Sequence, residues 1–266
     1  MKKLICPLFF PVWFCLLGFT NHLAAQNTRL NDENNVGWYA FFGTWKLNPK
    51  FDLHTEYQWR RDQTISTWQQ SLLRLGVNYN HSPAVTFHLG YGWIETFRYG
   101  DYPTVPSGGI VPEHRLYQMV LLRNPAKPFS IVHRFMLEQR FVGRLSSQNV
   151  QEVNEWVYTN RFRYRIRLDL PLKGATLEDN ELYAAAFNEI LIGFGKNVNE
   201  NVFDQNRLAF LLGYQFNPTF RLEAGYMNQI LQQGGEVNNQ SVFQNNHALL
   251  INLFANINLR KKPIEK

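Results

Sequence analysis

The sequence predicts an all-β protein, an antiparallel transmembrane β-barrel of about 10–12 strands that follows an N-terminal signal peptide. Segments in which apolar and polar residues alternate recur along most of the chain. Aromatic residues make up 15% of the chain, which fits the aromatic girdles of outer-membrane barrels. Beyond the N-terminal segment there is no run of about eighteen apolar residues, so the sequence does not predict a transmembrane helix.

The N-terminus has the layout of a secretory signal peptide. Two lysines precede an apolar stretch that ends at the small residues Ala24 and Ala25, so residues 1–25 are predicted to be cleaved off. Both cysteines, Cys6 and Cys15, lie in this segment, so the mature chain would have neither a disulfide framework nor a Cys-ligated metal. An anchoring helix is the alternative, but prolines interrupt the apolar stretch and it is short for a span.

Periodicity places the strands in order along the mature chain. In the second strand, apolar Phe51 and Leu53 flank Asp52, and the same period of two continues to Arg60. The other strands are assigned in the same way, between segments rich in turn-forming residues. The predicted strands cover residues 37–47, 51–60, 67–79, 85–98, 114–123, 129–141, 160–170, 182–192, 206–216, 220–231 and 247–259.

These strands set the predicted domain boundaries. Residues 26–36 are expected to form a flexible mature N-terminus, residues 37–260 the barrel, and residues 261–266 a polar C-terminal tail. Bacterial single-chain barrels have even strand numbers, whereas this count is odd. We therefore expect that one strand is missed or one is divided in two, with the segment before residue 37 as the suspect region.

The connections between strands alternate between short and long. Asn48-Pro49 and Asn217-Pro218 mark tight turns. In contrast, residues 99–113 contain three prolines and three glycines, and residues 143–155 and 232–245 are also predicted to be long loops. Short periplasmic turns and longer external loops are typical of outer-membrane barrels, so the Asn-Pro turns are assigned to the periplasm.

One strand, at residues 160–170, carries an unusual row of arginines. Side chains alternate across a strand, so Arg161, Arg163, Arg165 and Arg167 share one face, and Phe162 and its apolar neighbours share the other. A soluble sheet would turn the charged face to water. A membrane barrel turns the apolar face to lipid and the charged face to the lumen.

Arginines at alternate positions stand about 7 Å apart, so they repel unless carboxylates or anions lie between them. A hairpin register between the sixth and seventh strands would place Glu138 opposite Arg161 and Arg134 opposite Arg165. Pairing with the eighth strand would bring Glu189 diagonally close to Arg161 and Arg163. This register predicts neutralised arginines toward the outer half and an uncompensated patch toward the periplasmic half. The patch consists of Arg134, Arg165 and Arg167; the full lumen-facing set is Arg134, Arg140, Arg161, Arg163, Arg165 and Arg167, with Glu138, Asp169 and Glu189 as charge-compensating residues.

Several pieces of the chain together resemble an uncharacterised bacterial family, catalogued as domain of unknown function 2490. The pieces are HRFMLEQRF at 133–141, RFRYRIRLDLPL at 161–172, Phe187-Asn188-Glu189, FDQNR at 203–207, and Gly225-Tyr226 followed by Gln229. The resemblance implies an outer-membrane barrel and leaves the activity open. Where the family has an arginine in the first piece, this chain has Met136.

The charged lumen admits three uses. It can be a salt-bridged ladder that only fills a closed barrel, or an electropositive constriction for small anions, since arginine rings line anion pores. It can also hold the headgroup of a lipid or lipopolysaccharide. We expect an integral protein of the bacterial outer membrane, surrounded by lipid, whose role is passage or binding of small anionic solutes.

Two rival classes are weighed against this. A wall enzyme needs a nucleophile and base on one face, whereas Ser130 and His133 lie on opposite faces of their strand. Assembly across strands by His54, His88, His114 or His247 stays open, but the prediction is a protein that is not an enzyme. A secreted soluble sandwich or lipocalin-like barrel fits less well, because the strands are long and strongly aromatic. The chain shows no cofactor motif, metal spacing or basic patch for nucleic acid.

Overall fold

The computed structural model of the protein describes residues 29–198 and 201–260. The predicted signal peptide and the polar tail at 261–266 lie outside the described residues. The described part consists of eleven β-strands, and it has no helix long and apolar enough to cross a membrane. The strands are β1 (Arg29–Lys46), β2 (Phe51–Asp62), β3 (Thr67–Asn80), β4 (Val85–Thr96), β5 (Val111–Ala126), β6 (Phe129–Leu145), β7 (Val153–Pro171), β8 (Glu181–Phe194), β9 (Phe203–Gln215), β10 (Phe220–Val237) and β11 (Gln240–Asn258).

The eleven strands form one closed barrel. Each strand pairs antiparallel with its neighbour in sequence, and β1 and β11 close the ring by pairing in parallel, from Arg29 opposite Ser241 to Lys46 opposite Asn258. When an odd number of strands alternate in direction, the first and the last point the same way. The predicted β-barrel is therefore confirmed. It is mixed rather than wholly antiparallel, and the expectation of an even strand count is wrong for the described residues.

The first strand begins earlier than predicted. Residues 29–36, predicted as part of a flexible terminus, pair with β11 along their whole length. Asp32 and Val36 are 0% and 1% exposed. This segment packs against polar side chains of the barrel interior. Its polar composition is therefore compatible with an ordered strand.

Of two predicted long loops, one is mostly strand and the other is partly strand. β10 and β11 extend through residues 232–245 and are separated only by Asn238 and Asn239, whose φ angles are 52° and 59°. Positive φ at both central residues is the geometry of a type I′ hairpin turn, which asparagine tolerates. β6 and β7 likewise extend into residues 143–155.

The connections define two ends of the barrel. The loop end carries the β2–β3, β4–β5, β6–β7, β8–β9 and β10–β11 connections, and the turn end carries the other five. The described chain enters the barrel at the loop end, at Arg29. It leaves at the turn end, where the Leu259 N–H donates to the Lys46 carbonyl oxygen.

Apolar side chains cover the outside of the barrel, and charged side chains occupy much of the inside. Leu89 and Phe210 are 61% and 58% exposed, whereas Glu138 and Glu223 are fully buried. Ion pairs between strands that are not neighbours, such as that between Arg74 of β3 and Glu138 of β6, can form only across the interior. This distribution is the reverse of that in a water-soluble barrel.

The inner wall has an apolar sector and a sector shaped by glycine. The apolar cluster comprises Val36, Trp38, Tyr183, Ala185, Ala209, Leu211, Met227, Ala248 and Leu250. On β4, a Cβ at Gly90 would lie 2.4 Å from Cζ of Tyr117, so glycine is required for the close approach of that ring. Gly92 also faces inward, with looser surroundings, as its Cβ would lie 3.4 Å from Cγ of Arg74.

Candidate functional site

The centre of the barrel holds a carboxylate shared by four arginines. The carboxylate oxygens of Glu138 lie 2.6 Å from Arg161, 2.8 Å from Arg163, 3.4 Å from Arg115 and 3.5 Å from Arg74. The four arginines come from three different strands, so the contacts tie separate walls together. We call these five residues the central network. Each is at most 4% exposed, so the central network is buried in the barrel interior.

Glu189 on β8 is a second shared carboxylate. Its Oε1 lies 2.5 Å from Nη2 of Arg134 and 2.8 Å from Nη2 of Arg163. Its Oε2 lies 3.4 Å from Nη1 of Arg207. Glu189 is 2% exposed, and one carboxylate here serves three guanidinium groups. The local charge is therefore positive.

Arg167, which lies nearer the turn end, pairs with carboxylates other than Glu138 and Glu189. Its Nη2 lies 2.6 Å from Oδ1 of Asp169 and also contacts Oε1 of Glu223. The Tyr183 hydroxyl donates to the same Glu223 oxygen at 2.6 Å. Two carboxylates therefore neutralise this arginine.

The pairing of β6 with β7 follows the predicted register. Glu138 lies opposite Arg161, and Arg134 lies opposite Arg165. The pairing of β7 with β8 places Glu189 opposite Arg165, so Glu189 is diagonal to Arg163, as predicted, but not to Arg161. The turn between β7 and β8 is therefore offset from the predicted one.

The predicted uncompensated patch is wrong for two of its three members. Arg134 pairs with Glu189, and Arg167 pairs with two carboxylates. Arg165 has no ion pair with any residue that the structure describes; its guanidinium lies 5.5 Å from the centre of the Phe187 ring. The other predicted arginine, Arg140, contacts Glu113 at 2.7 Å.

Several residues of these ion pairs are not in the set predicted from the sequence. Glu113 falls at the edge of a predicted loop, and Arg115 lies in a predicted strand with poor alternation. Arg207 is a lone charge in its strand after Asp204. If the alternation of β5 is continued back to residue 113, it places Glu113 and Arg115 on one face. The structure has them on one face.

A cavity of about 1070 Å³ opens at the loop end, beside the central network. Nine arginines and four carboxylates line it, and Glu138 and Glu189, which lie outside this lining, pair with five of the arginines. The lining residues are Arg60, Arg74, Arg98, Arg115, Arg140, Arg144, Arg161, Arg163 and Arg207, with Asp101, Glu113, Asp204 and Glu236. We call this space the loop-end cavity.

Arg60 is the buried cavity arginine without a carboxylate partner. It is 7% exposed, and no carboxylate of the described residues lies within ion-pair distance. Its guanidinium donates to Gln70 Oε1 at 2.6 Å and to Gln58, and it stacks 3.7 Å from the Trp38 ring centre. These contacts fix the guanidinium in place and leave its charge uncompensated.

The β4–β5 connection, residues 97–110, covers the loop-end cavity. The Asp101 N–H donates to Oδ1 of Asp32 on β1 at 3.1 Å. The Tyr99 hydroxyl donates to Oε1 of Gln244 on β11 at 2.8 Å, and burial raises the pKa of this hydroxyl, which keeps it protonated. The connection is therefore held against the wall on the far side of the barrel mouth.

Other polar groups do not assemble a metal site. No group of three or more His, Cys, Asp and Glu residues that could hold a metal ion occurs in residues 29–198 and 201–260. His88, His114 and His247 each lie within 3.1 Å of a tyrosine hydroxyl oxygen. His88 also lies 2.6 Å from Oδ1 of Asn78, and His247 lies 3.2 Å from Oε2 of Glu33, so these histidines take part in cross-strand hydrogen bonds.

Comparison with curated proteins and with solved structures gave no match. A family model described as Protein of unknown function (DUF2490) matches residues 35–240, a range that includes the whole central network. The match confirms the resemblance inferred from the sequence pieces. It spans more than half of the chain, and the protein therefore belongs to the DUF2490 family.

Proposed function

We propose that the protein is an integral outer-membrane β-barrel that binds small anionic solutes in the loop-end cavity. This proposal is carried by Arg60, whose buried guanidinium is fixed by Gln70 and Trp38 and has no carboxylate partner among the described residues, on a wall that eight further arginines line. A guanidinium group offers paired N–H donors that match the oxygens of phosphate and carboxylate groups. The expected ligands are therefore small oxyanions or solutes that carry one.

The outer surface supports the membrane location. Large apolar side chains such as Leu75, Leu89 and Phe210 are 48%, 61% and 58% exposed. Water-soluble monomers rarely expose contiguous apolar surface on this scale. The closed ring of hydrogen-bonded strands also leaves no free sheet edge, as crossing a lipid bilayer requires.

The central network favours binding over passage. Its five side chains are buried in the barrel interior, and its ion pairs cross the lumen from β3 to β6. An anion that enters the loop-end cavity would meet this network on its way to the turn end. Passage would require the network to rearrange, whereas binding in the cavity requires no change in it.

Isothermal titration of inorganic phosphate into the detergent-folded barrel tests the proposal. The wild-type protein should bind phosphate saturably, and Arg60→Gln should weaken binding about tenfold or more, because a charge-assisted hydrogen bond is lost. Arg123→Gln is the matched control, since Arg123 is exposed and does not line the cavity. Absence of binding by the wild type, or equal binding by Arg60→Gln, would contradict the proposal.

A further inference from the structure

Two arginines face each other on the turn side of the central network without enough negative charge between them. Arg134 on β6 and Arg165 on β7 are directly opposed across the strand pair. Like charges at directly opposed positions are destabilising. Neither arginine lines the loop-end cavity, so this pair is separate from the proposed solute site.

The nearest carboxylate is already occupied. Oε1 of Glu189 accepts hydrogen bonds from Nη2 of Arg134 and from both Nε and Nη2 of Arg163, and Oε2 faces Arg207. Arg165 thus gains no ion pair from Glu189, although it lies opposite Glu189 in the register. A positive charge beyond what the described carboxylates neutralise remains at the Arg134–Arg165 pair.

The same two side chains have unused donors. The Nε atoms of Arg134 and Arg165 are both buried and have no hydrogen-bond partner. A buried donor that stays unsatisfied costs roughly 1–3 kcal/mol, and more when the group is charged. The Arg134 side chain keeps 14% of its surface exposed, so the pair is not sealed against a small ligand.

We propose that an inorganic oxyanion of phosphate or sulfate size binds between Arg134 and Arg165. Such an anion supplies acceptor oxygens for both Nε–H groups and the negative charge that the pair lacks. This second site lies on the turn side of the central network, while the loop-end cavity lies on its other side. The barrel interior thus has two anion sites separated by the central network.

The test measures unfolding of the detergent-folded barrel in urea at increasing inorganic phosphate, with sodium chloride keeping the ionic strength constant. The Arg60→Gln background weakens phosphate binding in the loop-end cavity. In this background the unfolding midpoint should still rise with phosphate and saturate. Adding Arg165→Gln should abolish the rise, and without phosphate this double variant should be at least as stable as Arg60→Gln alone, because like-charge repulsion is relieved.

Two further variants separate anion binding from packing. Arg165→Lys keeps the positive charge and should retain part of the phosphate response. If Arg165 acted only by packing against Phe187, the unfolding midpoint would not depend on phosphate. Arg144→Gln, at an exposed arginine paired with Glu155, should leave the response unchanged. The proposal is overturned if the Arg165→Gln variants keep the full response, or if they lose the same stability at every phosphate concentration. The proposed cavity site fails separately, if Arg60→Gln binds phosphate as the wild type does.

Discussion

Among the described residues, Glu138 is the carboxylate that pairs with the largest number of arginines. It is fully buried and contacts Arg74, Arg115, Arg161 and Arg163. Burying a guanidinium group is costly, and an ion pair with hydrogen bonds offsets much of that cost. Glu138 therefore holds together charges that would otherwise repel one another across the lumen.

Replacing Glu138 with glutamine should destabilise the barrel by about 3–5 kcal/mol, because four buried arginines lose their common counter-charge. Urea unfolding of the detergent-folded protein measures this change. The control is Glu155→Gln, which breaks an exposed ion pair with Arg144 and should change stability little. If the two variants unfold at the same urea concentration, the central network does not stabilise the barrel.

At the scale of elements, the β4–β5 connection depends on one carboxylate of β1. Asp32 is fully buried and accepts hydrogen bonds from the backbone N–H of Asp101 and from Gln244. Gly100 makes the approach possible: its φ is 75°, and a Cβ there would lie 2.4 Å from Oδ2 of Asp32. The cover of the loop-end cavity is therefore fastened to the first strand.

Asp32→Ala should loosen this cover. Loss of one backbone hydrogen bond of about 1–1.5 kcal/mol should speed amide exchange of Asp101 and Tyr102 roughly tenfold. Hydrogen–deuterium exchange by mass spectrometry reads out that segment directly. Glu33→Ala, at an exposed neighbour, serves as the control. Unchanged exchange in Asp32→Ala would mean that the connection is held by its other contacts.

The sequence predicts most strands well, because the period of two is a local signal that each strand carries by itself. It places Glu138 opposite Arg161 because the alternation within the two strands and the centre of the loop between them together fix the register of the hairpin. It does not predict the pairing of β1 with β11, which joins residues far apart in the chain and involves a polar segment. The ion pairs of Arg134 with Glu189 and of Arg167 with Glu223 are not predicted for a similar reason. Each joins two strands that are not neighbours in the barrel.

At the scale of the whole molecule, the odd strand number places the two ends of the described chain on opposite sides of the barrel. Arg29 lies at the loop end, and β11 finishes at the turn end. In a barrel with an even strand number, both would lie at the same end. If short turns face the periplasm, residue 29 faces outward and the end of β11 faces inward.

This arrangement predicts which tags antibodies can reach on intact cells. An epitope inserted between Ser147 and Gln148, in the β6–β7 connection, should be accessible without permeabilisation. An epitope after the last residue should be accessible only after the outer membrane is opened. Labelling by flow cytometry distinguishes the two, with a periplasmic protein as the integrity control. The reverse pattern would invert the orientation, and labelling of neither tag on intact cells would argue against exposure at the cell surface.

The apolar outer wall and the ion pairs across the lumen together predict how the protein conducts ions in a lipid bilayer. Purified protein should insert into planar lipid bilayers, as checked by co-flotation with vesicles of the same lipid. It should then show no steady conductance steps, because the central network bridges the lumen at mid-height. Long-lived, stable open steps from wild-type protein would contradict a closed central network and show that the arginine-lined interior is a continuous pore.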